Sequence, residues 1–269
     1  MSYTTEDRYC QRDELRIYGK LFLPETEEGG AGPKRRFSLA IFAHEFHCRY
    51  TRGETYGAML ADAGIALYTF DFCGNSDESF SDGVQEDQSV KSNIQDLVAV
   101  YNMAKEWPEI DPERIFFIGA SQGGYAAAEA ASMYFQDTPL LCLLYPAFSM
   151  TCFLTAPFAD VSEIPEKTEY MFGGTRAVHG KGFIEDLWYR DPYGDIKNYG
   201  NPVLILQGTD DWYVPLCFAK AAQLTFPDAE LIIYDGCKHL FRGEWKVRAA
   251  QDILAFIKKK RPDLLDPNA

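Results

Sequence analysis

An α/β architecture, a mostly parallel central sheet with helices on both faces, is predicted from three observations. Apolar runs of strand length alternate with segments of helical spacing through most of the chain. Two of these runs, Phe37–Phe46 and Ile65–Phe72, are too apolar for a strand with one wet face and read as strands buried on both sides. A third run, Arg114–Ile118, leads into Gly119-Ala120-Ser121-Gln122-Gly123 and then directly into helix formers. The 269 residues, 46% of them hydrophobic, suffice for one large core.

Each element follows from local pattern. Leu15–Leu23 reads as a strand hairpinned with the N-terminal residues, and the glycine-rich, charged stretch Glu25–Arg36 as an exposed loop. Tyr56, Met59, Leu60 and Ala63 give Gly53–Ala63 helical spacing. Asp87–Trp107 is a long helix whose stripe is Ile94, Leu97, Val98, Tyr101 and Ala104; Pro108 and Asp111-Pro112 end it. Tyr125–Ala131 is the helix after the serine, Leu140–Leu144 and Pro202–Gln207 are strands, and Pro215–Thr225 is a helix. Leu231–Tyr234 and Gly243–Lys259 complete the series as strand and helix.

One stretch breaks this rhythm. From Ala147 to Gly200 no βα period is visible, while aromatics are dense and glycines and prolines recur. Insertions of this length tend to be lids or binding loops. The expected organisation is therefore a core of residues 1–146 and 201–269 with an inserted lid or substrate-binding subdomain at 147–200.

A formal charge of −14 argues against nucleic acid or an anionic membrane as partner. The polar start carries no secretory pattern, and no run approaches the ~20 apolar residues of a membrane span. Seven scattered cysteines without a Cys-x-x-Cys suit reduced thiols, so a cytoplasmic location is expected. The four histidines lack metal-ligand spacing, no cofactor is called for, and a homodimer is the expected assembly.

Gly-x-Ser-x-Gly between a buried strand and a helix reads as a nucleophile elbow, with Ser121 exposed on a sharp turn. A serine needs a base to take its proton and a third group to hold that base. In this architecture acid and histidine follow the serine, each after a strand. His44 and His47 precede Ser121, and His179 is flanked by no predicted strand. His239 follows Leu231–Tyr234 across a short turn, which makes it the base. The acid is Asp210 or Asp211, adjacent after Pro202–Gln207.

Four stretches in order, His44-Glu45-Phe46, the elbow, Gly208-x-x-Asp211-x-x-Val214-Pro215 and Gly236-x-x-His239, resemble the α/β-hydrolase superfamily from about Leu15 onward. Phe70-Asp71-Phe72-Cys73-Gly74, Ser81-Asp82-Gly83 and the aromatic insertion resemble bacterial cinnamoyl (feruloyl) esterases within it. The resemblance implies an α/β-hydrolase fold, selects Asp211 as the acid, and makes Gln122 and Phe46 the backbone donors of an oxyanion hole. It makes His44 structural. Glu45 departs from the family's glycine and is expected to add bulk and negative charge beside that hole. The implied reaction is hydrolysis of a small-molecule ester, hydroxycinnamoyl or another small aromatic acyl, through an acyl-enzyme. Phe153, Tyr170, Trp188 and Tyr189 are candidate walls, and a Tyr170 or Tyr189 hydroxyl or the Asp160 carboxylate would meet a phenol. A general short-acyl esterase or an acylaminoacyl-type peptidase is the alternative, the absence of a long N-terminal propeller counting against the peptidase. Non-catalytic use of the fold is disfavoured by three filled triad positions.

Overall fold

The structure, a computed structural model, describes residues 3–25, 36–172 and 174–265. The loop expected over Glu25–Arg36 lies, apart from its two end residues, outside the described residues.

The chain opens with the antiparallel hairpin β1 (Tyr3–Arg12) and β2 (Leu15–Pro24). It continues through β3 (Phe37–Ala43), α1 (Glu54–Asp62), β4 (Ala66–Phe70), α2 (Val90–Lys105), β5 (Ile110–Ala120), α3 (Gln122–Met133) and β6 (Leu141–Leu144). Between β6 and the next strand of the main sheet lie α4 (Met150–Phe153), β7 (Lys167–Phe172), β8 (Thr175–Gly180), α5 (Lys181–Trp188) and α6 (Pro192–Ile196). The chain then adds β9 (Val203–Gly208), α7 (Leu216–Thr225), β10 (Ala229–Tyr234) and α8 (Glu244–Lys260).

Eight strands form one sheet in the order β1-β2-β4-β3-β5-β6-β9-β10. The β1–β2 and β2–β4 pairings are antiparallel, and every pairing from β4 to β10 is parallel. Alternate residues of β3 feed opposite cores, Leu39, Ile41 and Ala43 on one side and Ala40 and Phe42 on the other. The first core is closed by α2, α3 and α7, the second by α1 and α8. Fully burying each large apolar side chain contributes about 1.5–3 kcal/mol, which is why these near-continuous apolar runs settle at the middle of the sheet. Helix α2 starts at Val90 rather than Asp87, because Ser89 accepts from the Ser92 N–H and Ser92 returns the bond in a capping box.

Among the described residues, the segment expected to lack regular structure contains three short α-helices, a 3-10 turn at Val161–Glu163 and the antiparallel hairpin β7–β8. It is tied down at several points. Arg190, just after α5, pairs with Glu129 of α3 and with Asp186, whose other oxygen accepts the Lys91 N–H at 2.8 Å. Among the described residues no helix is long and apolar enough to cross a membrane.

Candidate active site

Ser121 stands between β5 and α3 with φ 52° and ψ −119°, a backbone conformation that costs a non-glycine residue about 1–3 kcal/mol. The surroundings hold it there. Its N–H donates to the Leu144 carbonyl at 2.9 Å, and its own carbonyl accepts from Tyr125 and Ala147 at 3.0 and 2.9 Å. The flanking glycines are required by close approach. A Cβ on Gly123 would overlap the carbonyl oxygens of Ala43 and His44, and one on Gly119 would strike Gly123 and Gly124. The start of α3 is thus pressed against the end of β3, which brings the loop after β3 beside the serine.

The other two partners come from loops at the C-terminal ends of neighbouring strands. Asp211 follows β9 and His239 follows β10. A side chain on Gly208 would overlap the Cys237 carbonyl, so this glycine lets the two loops touch. The His239 Nδ1 lies 2.7 Å from Asp211 Oδ2, and its Nε2 lies 3.0 Å from Ser121 Oγ. A carboxylate only accepts, so Nδ1 carries the proton and Nε2 is left to receive one from the hydroxyl. Asp211 is fully engaged: Oδ1 accepts from the N–H groups of Tyr213 and Val214 at 3.0 and 2.8 Å, and Oδ2 also accepts from Gln207 Nε2 at 3.1 Å. Asp210 is exposed, and its carboxylate accepts from the Thr209 hydroxyl at 3.1 Å.

Phe46, Ser121, Gln122 and His239 line one cavity of about 230 Å³. Gln122 is the first residue of α3, so its N–H has no partner within the helix and points past its start. His44 is fully buried. Its Nδ1 meets the Glu45 carbonyl at 2.8 Å and its Nε2 accepts from the Phe72 N–H at 3.2 Å, and burial pulls its pKa down. This is a structural, uncharged imidazole. The expected bulk and charge of Glu45 are absorbed by the fold. Its carboxylate is buried in a fork with Arg52, Nη2 to Oε1 at 2.8 Å, and accepts from the Tyr145 hydroxyl at 2.7 Å. Burial alone would raise this carboxyl, but the guanidinium and these hydrogen bonds outweigh it and hold the pKa at about 2. Nor does position 45 need a glycine's backbone. The left-handed residue of this loop is His47, with φ 56°.

The cavity's remaining walls are mostly apolar, among them Met150, Phe153, Leu154, Tyr170 and Val214, and among the described residues none that lines it is an Asp, Glu, Lys or Arg. Of the residues expected to meet substrate, Phe153 and Tyr170 are here, while Asp160, Trp188 and Tyr189 are not. Asp160 is exposed and caps a turn by accepting the Ser162 N–H at 2.8 Å. Trp188 ends α5 outside the cavity, and Tyr189 is 77% exposed beyond it. In their place stands His179, on a strand the sequence pattern did not reveal. Its ring stacks on Phe183 at 3.8 Å, lies 4.6 Å from Phe46, and its Nε2 bonds the Tyr170 hydroxyl. Burial pulls its pKa down to about 3. The Gly173-Gly174 pair between two β-prone runs was the available signal for that hairpin. On the outer side, His239 and Tyr213 also border a groove with Trp212, Lys238, Arg242 and Trp245.

The family described as the prolyl oligopeptidase family matches residues 54–262, well over half of the chain. The chain belongs to the prolyl oligopeptidase family. Among solved structures it is similar to ferulic-acid-bound Est1E from Butyrivibrio proteoclasticus, with TM-score 0.80 and 21% identity over 94% of this chain and 98% of that one. A dienelactone hydrolase from Anabaena variabilis is similar over 97% and 99% of the two chains, with TM-score 0.66 and 14% identity. These likenesses establish the α/β-hydrolase fold. The non-heme chloroperoxidase CPO-A1 of Kitasatospora aureofaciens is 35% identical over 92 residues, 32% of this chain. The match spans 30% of that protein's length.

Proposed function

We propose that this member of the prolyl oligopeptidase family is a serine carboxylic-ester hydrolase that works through an acyl-enzyme. The observation that carries the reading is the hydrogen-bonded series Ser121–His239–Asp211 at the wall of an apolar cavity. His239 Nε2 takes the Ser121 proton as Oγ attacks the ester carbonyl. The N–H groups of Gln122 and Phe46 receive the oxyanion, each such donor being worth about 3–4 kcal/mol in systems where one has been removed. Asp211 holds the tautomer and offsets the charge of the imidazolium. The imidazolium gives its proton to the leaving alcohol oxygen, and the alcohol departs. Water then repeats the cycle: His239 deprotonates it, it attacks the acyl carbon, and Ser121 recovers its proton.

For the acyl group we propose a small aromatic acid of the hydroxycinnamoyl class. The cavity lies below the ~300 Å³ at which drug-sized sites begin, and its aromatic, uncharged lining suits a flat neutral group. The likeness to Est1E, whose structure holds ferulic acid, points the same way. In this reading the 147–200 insertion is the substrate-binding subdomain, supplying Phe153, Tyr170 and His179 to the cavity. Family membership favours one second reading, an acylaminoacyl-type serine peptidase.

The test is steady-state turnover of 4-nitrophenyl acetate, methyl ferulate, methyl butyrate and an N-acetyl-aminoacyl 4-nitroanilide. Wild type should release 4-nitrophenol from the acetate and Ser121→Ala should not; equal inertness would sink the hydrolase reading. Methyl ferulate should exceed methyl butyrate in kcat/KM. The opposite order removes the aromatic-acyl assignment, and preference for the anilide replaces it with the peptidase.

A further inference from the structure

We propose that Glu45 is a positioning residue: clamped by Arg52 and Tyr145, it ties the loop that carries Phe46 to the ring of His239, so that oxyanion donor and base keep one geometry. The proposal rests on the reading of the site given above and assigns a role to the residue that departs from the family's glycine.

Three elements meet at this carboxylate. Arg52 comes from the turn before α1, with Nε at 3.1 and 3.2 Å from the two carboxylate oxygens. Tyr145 comes from the end of β6 and donates its hydroxyl to Oε1. The tyrosine's other contacts carry the constraint onward. Its ring packs edge-on against the His239 ring, centroids 4.8 Å apart at 64°, and against Phe241 at 4.5 Å. Tyr145 itself is held at φ 39°, its N–H on the Leu206 carbonyl at 2.7 Å, so the ring has a defined origin. On the other side, the Glu45 carbonyl accepts from His44 Nδ1, from Asn75 Nδ2 at 3.3 Å and from the Cys48 N–H at 3.3 Å. Side chain and main chain of residue 45 are therefore both fixed, and the Glu45 carbonyl shares one planar peptide with the Phe46 N–H.

A buried ion pair is a poor way to gain stability, because an apolar filling of equal volume does as well. What it provides is direction. The fork and the hydroxyl admit one orientation, and a catalytic group displaced by about 1 Å loses on the order of a hundredfold in rate. Pairing with Arg52 also cancels the negative charge that would otherwise oppose an oxyanion nearby.

The experiment compares wild type, Tyr145→Phe, Glu45→Gln and the double variant in two readouts. In 4-nitrophenyl acetate turnover each single variant should lower kcat on the order of tenfold with KM within twofold, and the double should be no slower than the slower single. In ¹H–¹⁵N spectra of the histidine side chains, Tyr145→Phe should shift and broaden the His239 ring signals. Wild-type kcat in a folded Tyr145→Phe protein, losses confined to KM, or multiplicative losses in the double each overturn the proposal. The spectrum decides independently of turnover: an unmoved His239 ring overturns it even if Ser121→Ala shows that the esterase reading is the part at fault.

Discussion

Asp210 and Asp211 are adjacent and chemically identical, and only the backbone distinguishes them. The turn after β9 aims Asp211 inward, where two backbone N–H groups, Gln207 and His239 fill its oxygens, and leaves Asp210 in water. Asp211→Asn is expected to lower kcat by about 10³–10⁴, because an amide reverses the tautomer that His239 needs. Asp210→Asn should stay within about twofold of wild type, since an exposed carboxylate contributes little. Parallel kinetics on the two variants check this, and equal losses would contradict the geometry. Chain order and strand ends singled out Ser121 and His239 in the sequence and narrowed the acid to Asp210 or Asp211; only the family resemblance chose Asp211. The partners of Glu45 were not legible: Tyr145 lies 100 positions away, and its bond to Glu45 exists only once β3 and β6 are placed in the sheet.

At the scale of elements, the strands of the sheet could be read because burial on both faces forces long apolar runs. The β7–β8 hairpin hid because its outward positions, Lys167, Glu169 and Arg176, are charged and its inward ones, Tyr170, Ala177 and His179, are mixed. His179 was set aside for want of a strand, and the strand is what brings it to the cavity. Its burial has a consequence in acid. A histidine at about 3 in the fold and near 6.5 when unfolded binds a proton only in the unfolded chain between those values. Stability is thus unaffected by His179 above pH 6.5 and falls as pH drops toward 3, by up to about 1.4 kcal/mol per pH unit. His179→Phe, which keeps the stack on Phe183, should flatten that limb in urea unfolding measured from pH 4 to 7. Parallel curves would contradict it.

For the molecule as a whole, the insertion is joined to the core by Arg190, by the Val178 N–H on Gln85 Oε1, by the Ser132 hydroxyl on the Ile196 carbonyl, and by Phe183 and Leu187 in the first core. Glu129 is fully buried on α3; burial pushes its carboxyl up to about 7 although Arg190 pulls the other way. Arg190→Met removes the guanidinium that faces this carboxyl and should cost up to about 3–5 kcal/mol at a pH where the carboxyl is charged. The cost should grow as pH rises past about 7, where Glu129 can ionise beside Arg190 in the wild type but stays protonated without it. Glu129→Gln combined with Arg190→Met should recover most of it. Chemical denaturation of the three proteins at pH 5 and 8 is the check, and an unchanged midpoint in the single variant at pH 8 would contradict the role given to Arg190. The elbow sets a different bound on global stability. Holding Ser121 at φ 52° costs about 1–3 kcal/mol, more than the roughly 0.5–1 kcal/mol that a glycine loses in backbone freedom. Ser121→Gly should therefore melt higher than the wild type while hydrolysing nothing. On the role proposed for Ser121, a sturdier form of this chain is an inert one, and selection for thermostability without selection for turnover would drift toward erasing the proposed nucleophile.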